Sequence, residues 1–258
     1  MKKLTLLIAT AILMSACVKT KEPTRFSVLG DSYSAFDGYV DPDTNDPYIH
    51  YPQIGVTGIE QMWWRQVADS LNWVLDHNNS FSGSLVCNYG DFDGGSYYAP
   101  NSFIRRMNNL GNPEVIFILG ATNDVWNGAP FGDYVYSDWT EEQLCSFRPA
   151  LAYMLDFLKR QHPHAKLYYL LETNPCPGAI DAETRLNLIE SVHRVTYHYN
   201  VDCVDLYDIH KEWWHPDVEG QKGIADQVLE YLSTSEKPYW DVPTPSNDEL
   251  TVRYRFRH

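Results

Sequence analysis

Phe26-Ser27-Val28-Leu29-Gly30-Asp31-Ser32-Tyr33-Ser34 decides how the rest of this chain is read. Phe26 to Leu29 is a short apolar run with the length of a buried strand. Gly30 permits a sharp turn. Ser32 then stands just past the carboxyl end of a strand, where open α/β sheets hold their ligands. Gly, Asp and Ser are also common turn residues, so a bare turn accounts for the pentapeptide as well. The two readings separate only if later stretches bring a base and hydrogen-bond donors to the same edge.

Four further stretches have the character of strands. Trp73-Val74-Leu75 is a short apolar run leading into residues 78–84. Residues 115–119 are unbroken apolar, as expected for a central parallel strand covered on both faces, and end in Gly120-Ala121-Thr122-Asn123-Asp124. Residues 167–171 and 203–206 complete the set. Helical spacing fills the gaps between them. Ile59, Met62, Val67 and Leu71 form one stripe. Leu144, Phe147, Leu151, Leu155 and Leu158 form another, after a capping box at Thr140 and Gln143. Leu186, Ile189, Val192 and Thr196 follow an N-cap at Asp181, and Ile224, Val228 and Leu232 end the series. Strands alternating with helices imply βαβ units and a parallel sheet. Right-handed crossovers place helices on both faces. The predicted fold is α/β, with about five parallel strands in three layers, and the ends of the first three strands converge on one edge.

That edge gathers chemistry. A serine is a weak nucleophile until a base takes its proton, and a tetrahedral intermediate needs donors for its oxyanion. Ser32 supplies the oxygen. His215, after the fifth strand and before the last helix, supplies a base. Asn123 offers a side-chain NH2, and Gly83 offers a backbone N–H that no Cβ obstructs. No Gly-x-Ser-x-Gly elbow occurs in the sequence, so the α/β-hydrolase reading lacks its main signature.

Gly30-Asp31-Ser32-Tyr33-Ser34, the glycine at Gly83, Gly120-x-x-Asn123-Asp124 and His215-Pro216 resemble the four blocks of the SGNH, or GDSL-like, hydrolases, and stand in that family's order. The resemblance spans Phe26 to about Leu232. It implies a three-layer α/β/α flavodoxin-like fold and ester hydrolysis through serine acylation, with no metal or organic cofactor. By that match Ser32 is the nucleophile and His215 the base. The oxyanion donors are the Ser32 and Gly83 backbones and the Asn123 side chain. The family usually places an Asp three residues before the His; here that position is Glu212, with Asp208 as a rival and a Ser–His dyad as a further alternative. Tyr33, Trp126 and Trp214 are expected at the substrate. A catalytically silent glycan-binding lipoprotein and an acyltransferase or lipase on the same fold are the competing readings.

The amino terminus reads as an address. Lys2 and Lys3 precede an apolar run up to Met14, and Ser15-Ala16 lead into Cys17. This is the pattern of a secretory signal, too short to span a bilayer. The cysteine directly after Ala16 resembles a bacterial lipobox, which implies cleavage before it and a lipid on its thiol. The expected organisation is a signal over residues 1–16, a tether over 17–24, and one domain over 25–258 with a carboxyl-terminal extension from 233. The expected place is the cell envelope, periplasmic or surface-exposed. The formal net charge of −14 repels nucleic-acid backbones and anionic lipid, so neither is an expected partner.

Cys87, Cys145, Cys176 and Cys203 match no zinc spacing, and their pairing is not legible in sequence. The other histidines form no evident metal set. Asp91, Asp93 and Gly94 fall short of a calcium loop. Trp63-Trp64 and Trp213-Trp214 are read as core, with Trp213 or Trp214 lining the site beside His215. Asp124 is read as a local cap. Three long segments, 35–57, 85–101 and 125–139, surround the site and lack aliphatic runs. Their aromatics, among them Tyr39, Tyr48, Tyr97, Tyr98 and Trp126, suit sugar rings better than alkyl chains. A short acyl group, acetyl, on a carbohydrate is the expected substrate.

Overall fold

The structure is a computed structural model and describes residues 22–36, 55–90 and 101–234. Cys17, the signal, and the aromatics Tyr39, Tyr48, Tyr97 and Tyr98 lie outside the described residues. So do Asp91, Asp93 and Gly94, and the extension beyond residue 234. Among the described residues no helix is long and apolar enough to cross a membrane.

A five-stranded parallel sheet forms the middle layer, in the order β2-β1-β3-β4-β5. Its strands are β1 (Arg25–Gly30), β2 (Val74–Ser80), β3 (Val115–Leu119), β4 (Lys166–Glu172) and β5 (Asp202–Leu206). This is the flavodoxin-like order, and its switch point lies between β1 and β3. β3 is buried at every position, as its Val-Ile-Phe-Ile-Leu run requires of a strand with helices on both sides.

One face packs against α1 (Trp63–Leu71) and α6 (Val218–Ser233), which touch each other. There Phe26, Val28, Phe117 and Val204 meet Trp63, Val67 and Ile224. The opposite face packs against α2 (Phe103–Arg106), α4 (Phe147–Gln161) and α5 (Ala182–His198). There Leu29, Ile116, Ile118 and Tyr169 meet Phe103, Leu151 and Val192. The short α3 (Thr122–Trp126) follows β3. A hairpin, β6 (Lys211–Glu212) with β7 (His215–Pro216), precedes α6.

Several sequence expectations shift here, each for a physical reason. The second strand starts at Val74 and runs to Ser80, well past the apolar run that announced it. Its inward residues Asp76, Asn78 and Ser80 are buried. They are tolerated because each is bonded: Asp76 accepts from Asn112 N at 2.7 Å, and Asn78 Nδ2 donates to Ser34 O at 3.0 Å. The capping box forms, with Gln143 N donating to Thr140 Oγ1 at 3.2 Å and Thr140 N to Gln143 Oε1 at 2.9 Å. It starts only a single 3-10 turn (Gln143–Cys145), and the helix begins at Phe147. Asp181 caps α5 by accepting from Thr184 N at 2.7 Å. Leu186, expected inward, is 47% exposed, because the buried face of α5 takes Leu188 instead, in line with Ile189, Val192 and Val195.

Candidate active site

β1 ends at Gly30 and the chain turns at once. Asp31 Oδ1 accepts from Tyr33 N at 2.9 Å, and Asp31 O accepts from Ser34 N and Ala35 N at 3.1 and 3.2 Å. This is a single helical turn capped by Asp31, with Ser32 at its first position. Gly30 is needed less for turning than for room. A Cβ there would stand 2.6 Å from Ser34 Cβ and 2.7 Å from Ser80 Oγ.

The turn is buried, and its carbonyls are met from three elements. Gln221 Nε2 of α6 donates to Tyr33 O at 3.1 Å. Trp64 Nε1 of α1 and Asn78 Nδ2 of β2 both donate to Ser34 O. Trp63 Nε1 donates to Ser34 Oγ at 3.1 Å. Trp63 and Trp64 are the core residues expected of them, and their indoles brace the serine turn as well.

His215 meets Ser32 across the sheet edge. Its Nε2 lies 3.1 Å from Ser32 Oγ, and its Nδ1 lies 3.2 Å from the Trp213 carbonyl. A carbonyl only accepts, so Nδ1 carries the proton and Nε2 presents its lone pair to the serine hydroxyl. That is the tautomer a base needs.

The hairpin holding His215 is unusual. Trp213 and Trp214 both have positive φ, 52° and 67°, as a two-residue type I′ turn demands. Asn and Gly are the usual occupants of such a turn; side chains forced there cost on the order of 1–3 kcal/mol each. Two contacts hold the turn. Tyr33 Oη donates to Trp214 O at 2.6 Å. Behind it, Lys211 forms an ion pair with Glu172 at the end of β4, with side-chain exposures of 7% and 3%.

The remaining expected residues fall as follows. Gly83 has φ +75°, and its N–H donates to no group among the described residues. Asn123 Nδ2 donates to Ser84 O at 3.1 Å and to Asp31 Oδ2 at 3.3 Å. Ser32, Gly83 and Asn123 thus follow β1, β2 and β3 at the switch point. Glu212 is the Cα partner of His215 in the hairpin, but its side chain is exposed. Neither the Glu212 nor the Asp208 carboxylate bonds to the His215 ring among the described residues, where Nδ1 meets the Trp213 carbonyl and Nε2 meets Ser32. Asp208 stands before the hairpin and is exposed.

Tyr33, expected at the substrate, is corrected: it is 2% exposed and its hydroxyl is taken by Trp214 O. Trp213 and Trp214, read as core, are 81% and 44% exposed, since the tight turn lifts them off the sheet edge. Trp214 lies against Trp126, ring centroids 4.7 Å apart, and Trp126 is 47% exposed.

A layer of buried charge lies beneath, which sequence reading missed. Asp124, read as a local cap, instead accepts from Val86 N at 2.9 Å and Cys87 N at 3.2 Å. It ties the Gly83 segment to the Asn123 segment. Arg106 donates to Gly30 O at 3.1 Å, Ser84 Oγ at 3.0 Å and Asn79 Oδ1 at 2.9 Å. Burial lowers its guanidinium to about 9, so it stays charged at neutral pH. Burial also raises Asp31 to about 7 and Asp124 to about 6, Asp31 further through the Asp124 charge, with Arg106 opposing. A stretch of three separate loops converging is invisible to periodicity, so only the run of Asp next to Ser32 and Asn123 hinted at it.

One cluster lies apart. His193 Nε2 of α5 is 2.9 Å from Asp205 Oδ1 of β5, and Cys203 completes a group of three whose donor atoms lie within 4.8 Å of one another. Tyr207 Oη donates to the other Asp205 oxygen at 3.1 Å. The contacts join α5 to the edge strand. Cys87, Cys176 and Cys203 are free thiols, and Cys145 Sγ donates to Glu141 O at 3.6 Å.

The Asp31 shift has a measurable sign. Its pKa is about 7 in the fold against 3.8 ordinarily, so the native state keeps a proton that the unfolded chain has released. That contribution to stability is complete below the ordinary value and is lost as pH rises to the folded one. Melting temperatures of wild type are expected to fall between about pH 4 and 7, and those of Asp31→Asn to fall less. Parallel curves for the two proteins across that range would refute the assignment.

Known proteins resemble this chain in sequence and in fold. The family model described as GDSL-like Lipase/Acylhydrolase matches residues 24–232. A crystal structure described as a GDSL-like lipase from Bacteroides ovatus is 40% identical, with 82% of this chain and 99% of that chain covered and a TM-score of 0.71. Another, from Bacteroides uniformis, is 37% identical, covering 83% of this chain and 97% of that chain at a TM-score of 0.71. A family two carbohydrate esterase from Clostridium thermocellum, solved in complex with cellohexaose, shares the fold at 18% identity and a TM-score of 0.52, with 81% of this chain and 64% of that chain covered. Among curated proteins no sequence matches. The chain belongs to the GDSL-like lipase/acylhydrolase family, and is a hydrolase of ester bonds.

Proposed function

We propose that the protein is a serine esterase that removes short acyl groups, acetyl foremost, from carbohydrate. The observation that carries the mechanism is the 3.1 Å approach of His215 Nε2 to Ser32 Oγ. His215 takes the hydroxyl proton as Ser32 attacks the ester carbonyl. The oxygen that becomes negative is met by the Ser32 and Gly83 N–H groups and by Asn123 Nδ2, whose longer contact, to Asp31 at 3.3 Å, yields most readily. His215 then gives its proton to the departing alcohol, leaving acyl-Ser32. Water, deprotonated by the same imidazole, attacks the acyl carbonyl; the acyl–Oγ bond breaks, the imidazolium returns the proton to Ser32 Oγ, and the acid leaves.

The Trp213 carbonyl orients the imidazole from behind. Of the two carboxylates Glu212 is the one in register with His215. It is the acid of this reading, with Asp208 the rival.

Ser32→Ala and His215→Ala are expected to remove most turnover with the fold intact. Asn123→Ala should lower kcat by about 10²–10³ with little change in KM. Glu212→Gln should cost more than Asp208→Asn. Equal and small losses at those two positions identify a dyad. A Ser32→Ala protein with near-normal turnover rules the mechanism out.

For the substrate, the supporting feature is the exposed Trp126–Trp214 pair beside His215, which offers flat apolar faces to a sugar ring. The carbohydrate esterase of similar fold is consistent with this. Nitrophenyl acetate, butyrate and octanoate, assayed beside acetylated xylan, separate the choices. Acetate should be preferred, and acetate should be released from the glycan. Trp126→Ala should raise KM for the glycan and leave nitrophenyl acetate unaffected. Rates climbing from acetate to octanoate, with no glycan deacetylated, would favour the lipase reading instead.

We further propose that the enzyme is exported and held in the cell envelope by lipid on Cys17, the reading its amino-terminal sequence supports. Cys17→Ser is expected to move the protein from the membrane to the soluble fraction with activity retained. Fractionation unchanged from wild type would contradict the anchor.

A further inference from the structure

The two residues that must meet for catalysis come from opposite ends of the chain, Ser32 after β1 and His215 in the hairpin before α6. What sets their spacing is a separate question from what each one does. The hairpin cannot set it alone. Its turn residues Trp213 and Trp214 sit at φ 52° and 67°, a region that side chains rarely adopt and leave when nothing opposes them. The Trp213 ring is 81% exposed, so packing of that side chain does little to hold the turn.

Tyr33 is the residue next to the nucleophile, and Trp214 is the residue next to the base. Tyr33 Oη donates to Trp214 O at 2.6 Å. Tyr33 itself is fixed at every other point. Its N–H goes to Asp31 Oδ1 at 2.9 Å, and its carbonyl accepts from Gln221 Nε2 at 3.1 Å. Its ring lies edge-on to the His215 imidazole, centroids 5.9 Å apart. The phenol is 2% exposed, and burial keeps it in the neutral, donating form. Both carbonyls of the strained turn are therefore engaged at the site, Trp213 O by His215 Nδ1 and Trp214 O by Tyr33 Oη.

We propose that Tyr33 is a positioning residue, which clamps the strained Trp213–Trp214 turn so that His215 stays within hydrogen-bond reach of Ser32. This rests on the reading of Ser32 and His215 as nucleophile and base. A tyrosine that only fills the core would lose nothing specific on becoming phenylalanine, since the ring still packs. A clamp loses its one polar atom.

The test compares Tyr33→Phe in two backgrounds, wild type and Trp213→Asn, because asparagine is at ease with positive φ and relieves the strain the clamp opposes. Each protein is assayed on nitrophenyl acetate for kcat and KM, and on a phosphonate ester for the rate of Ser32 modification. Circular dichroism checks that each is folded. Tyr33→Phe should lower kcat and the modification rate together by roughly 10- to 10²-fold, the scale of a small misplacement of reacting groups, with KM unchanged. In the Trp213→Asn background the same substitution should cost markedly less. Turnover of Tyr33→Phe within twofold of its parent, an equal loss in both backgrounds, or a rise in KM with kcat held would each overturn the proposal. Ser32→Ala distinguishes the failures. If it is inactive while Tyr33→Phe is normal, only the clamp is wrong. If Ser32→Ala is active, the catalytic reading beneath it falls as well.

Discussion

Backbone polar groups buried away from water must find partners, and the turn from Asp31 to Ala35 places this demand at the centre of the molecule. The turn leaves the sheet at the switch point and runs straight into the core between α1, α6 and β2. Tyr33 O takes Gln221, Ser34 O takes Trp64 and Asn78, and Ser34 Oγ takes Trp63. These are long-range contacts, so satisfying the turn fixes where α1 and α6 lie on that face of the sheet. The same bonds leave Ser32 at the first position of a turn that has nowhere else to go. A rigid Ser32 turn and a well-packed face of the core are one physical arrangement here.

The other face of the site rests on buried charge. Arg106 sits among the Gly30 carbonyl, Ser84 Oγ and Asn79, with its charge acting on Asp31, which in turn feels Asp124. A buried cation and two buried carboxyl groups are tolerable together only because every member has hydrogen bonds. Asp124 fastens the Val86 and Cys87 amides, Asn123 fastens Ser84 O, and Arg106 fastens Ser84 Oγ. The loops after β2 and β3 are thereby locked together, and donors fixed in advance are what a developing oxyanion needs. Strain at Trp213 and Trp214 belongs to the same economy of a site: it persists because Tyr33 and the Lys211–Glu172 pair hold the hairpin from two sides.

Much of this was legible along the chain. The apolar runs at Phe26–Leu29 and Val115–Leu119, alternating with helical stripes, determined a parallel α/β sheet, because periodicity and burial are local properties of sequence. The order of Gly30-Asp31-Ser32, Gly83, Asn123 and His215 determined which side chains share its edge, because each lies just past a strand or just before the last helix. Asp181 as a cap and Trp63-Trp64 as core were equally local.

What only the tertiary structure decided has a common cause, which is that it depends on contacts between residues far apart in the chain. β2 extends through Asp76, Asn78 and Ser80 because partners from other segments neutralise their polarity, and no pattern in residues 74–80 announces those partners. Asp124 grips amides 37 and 38 residues away, so its neighbours in sequence suggested only a cap. Tyr33 turned from a substrate contact into a buried brace because Trp214 O, 181 residues on, reaches its hydroxyl. The tryptophans of the His215 hairpin lie outside the core because a two-residue turn leaves their rings no sheet to cover. Hydrophobic patterning specifies which residues are buried, but the direction of a single polar bond is fixed only when two distant segments are brought together.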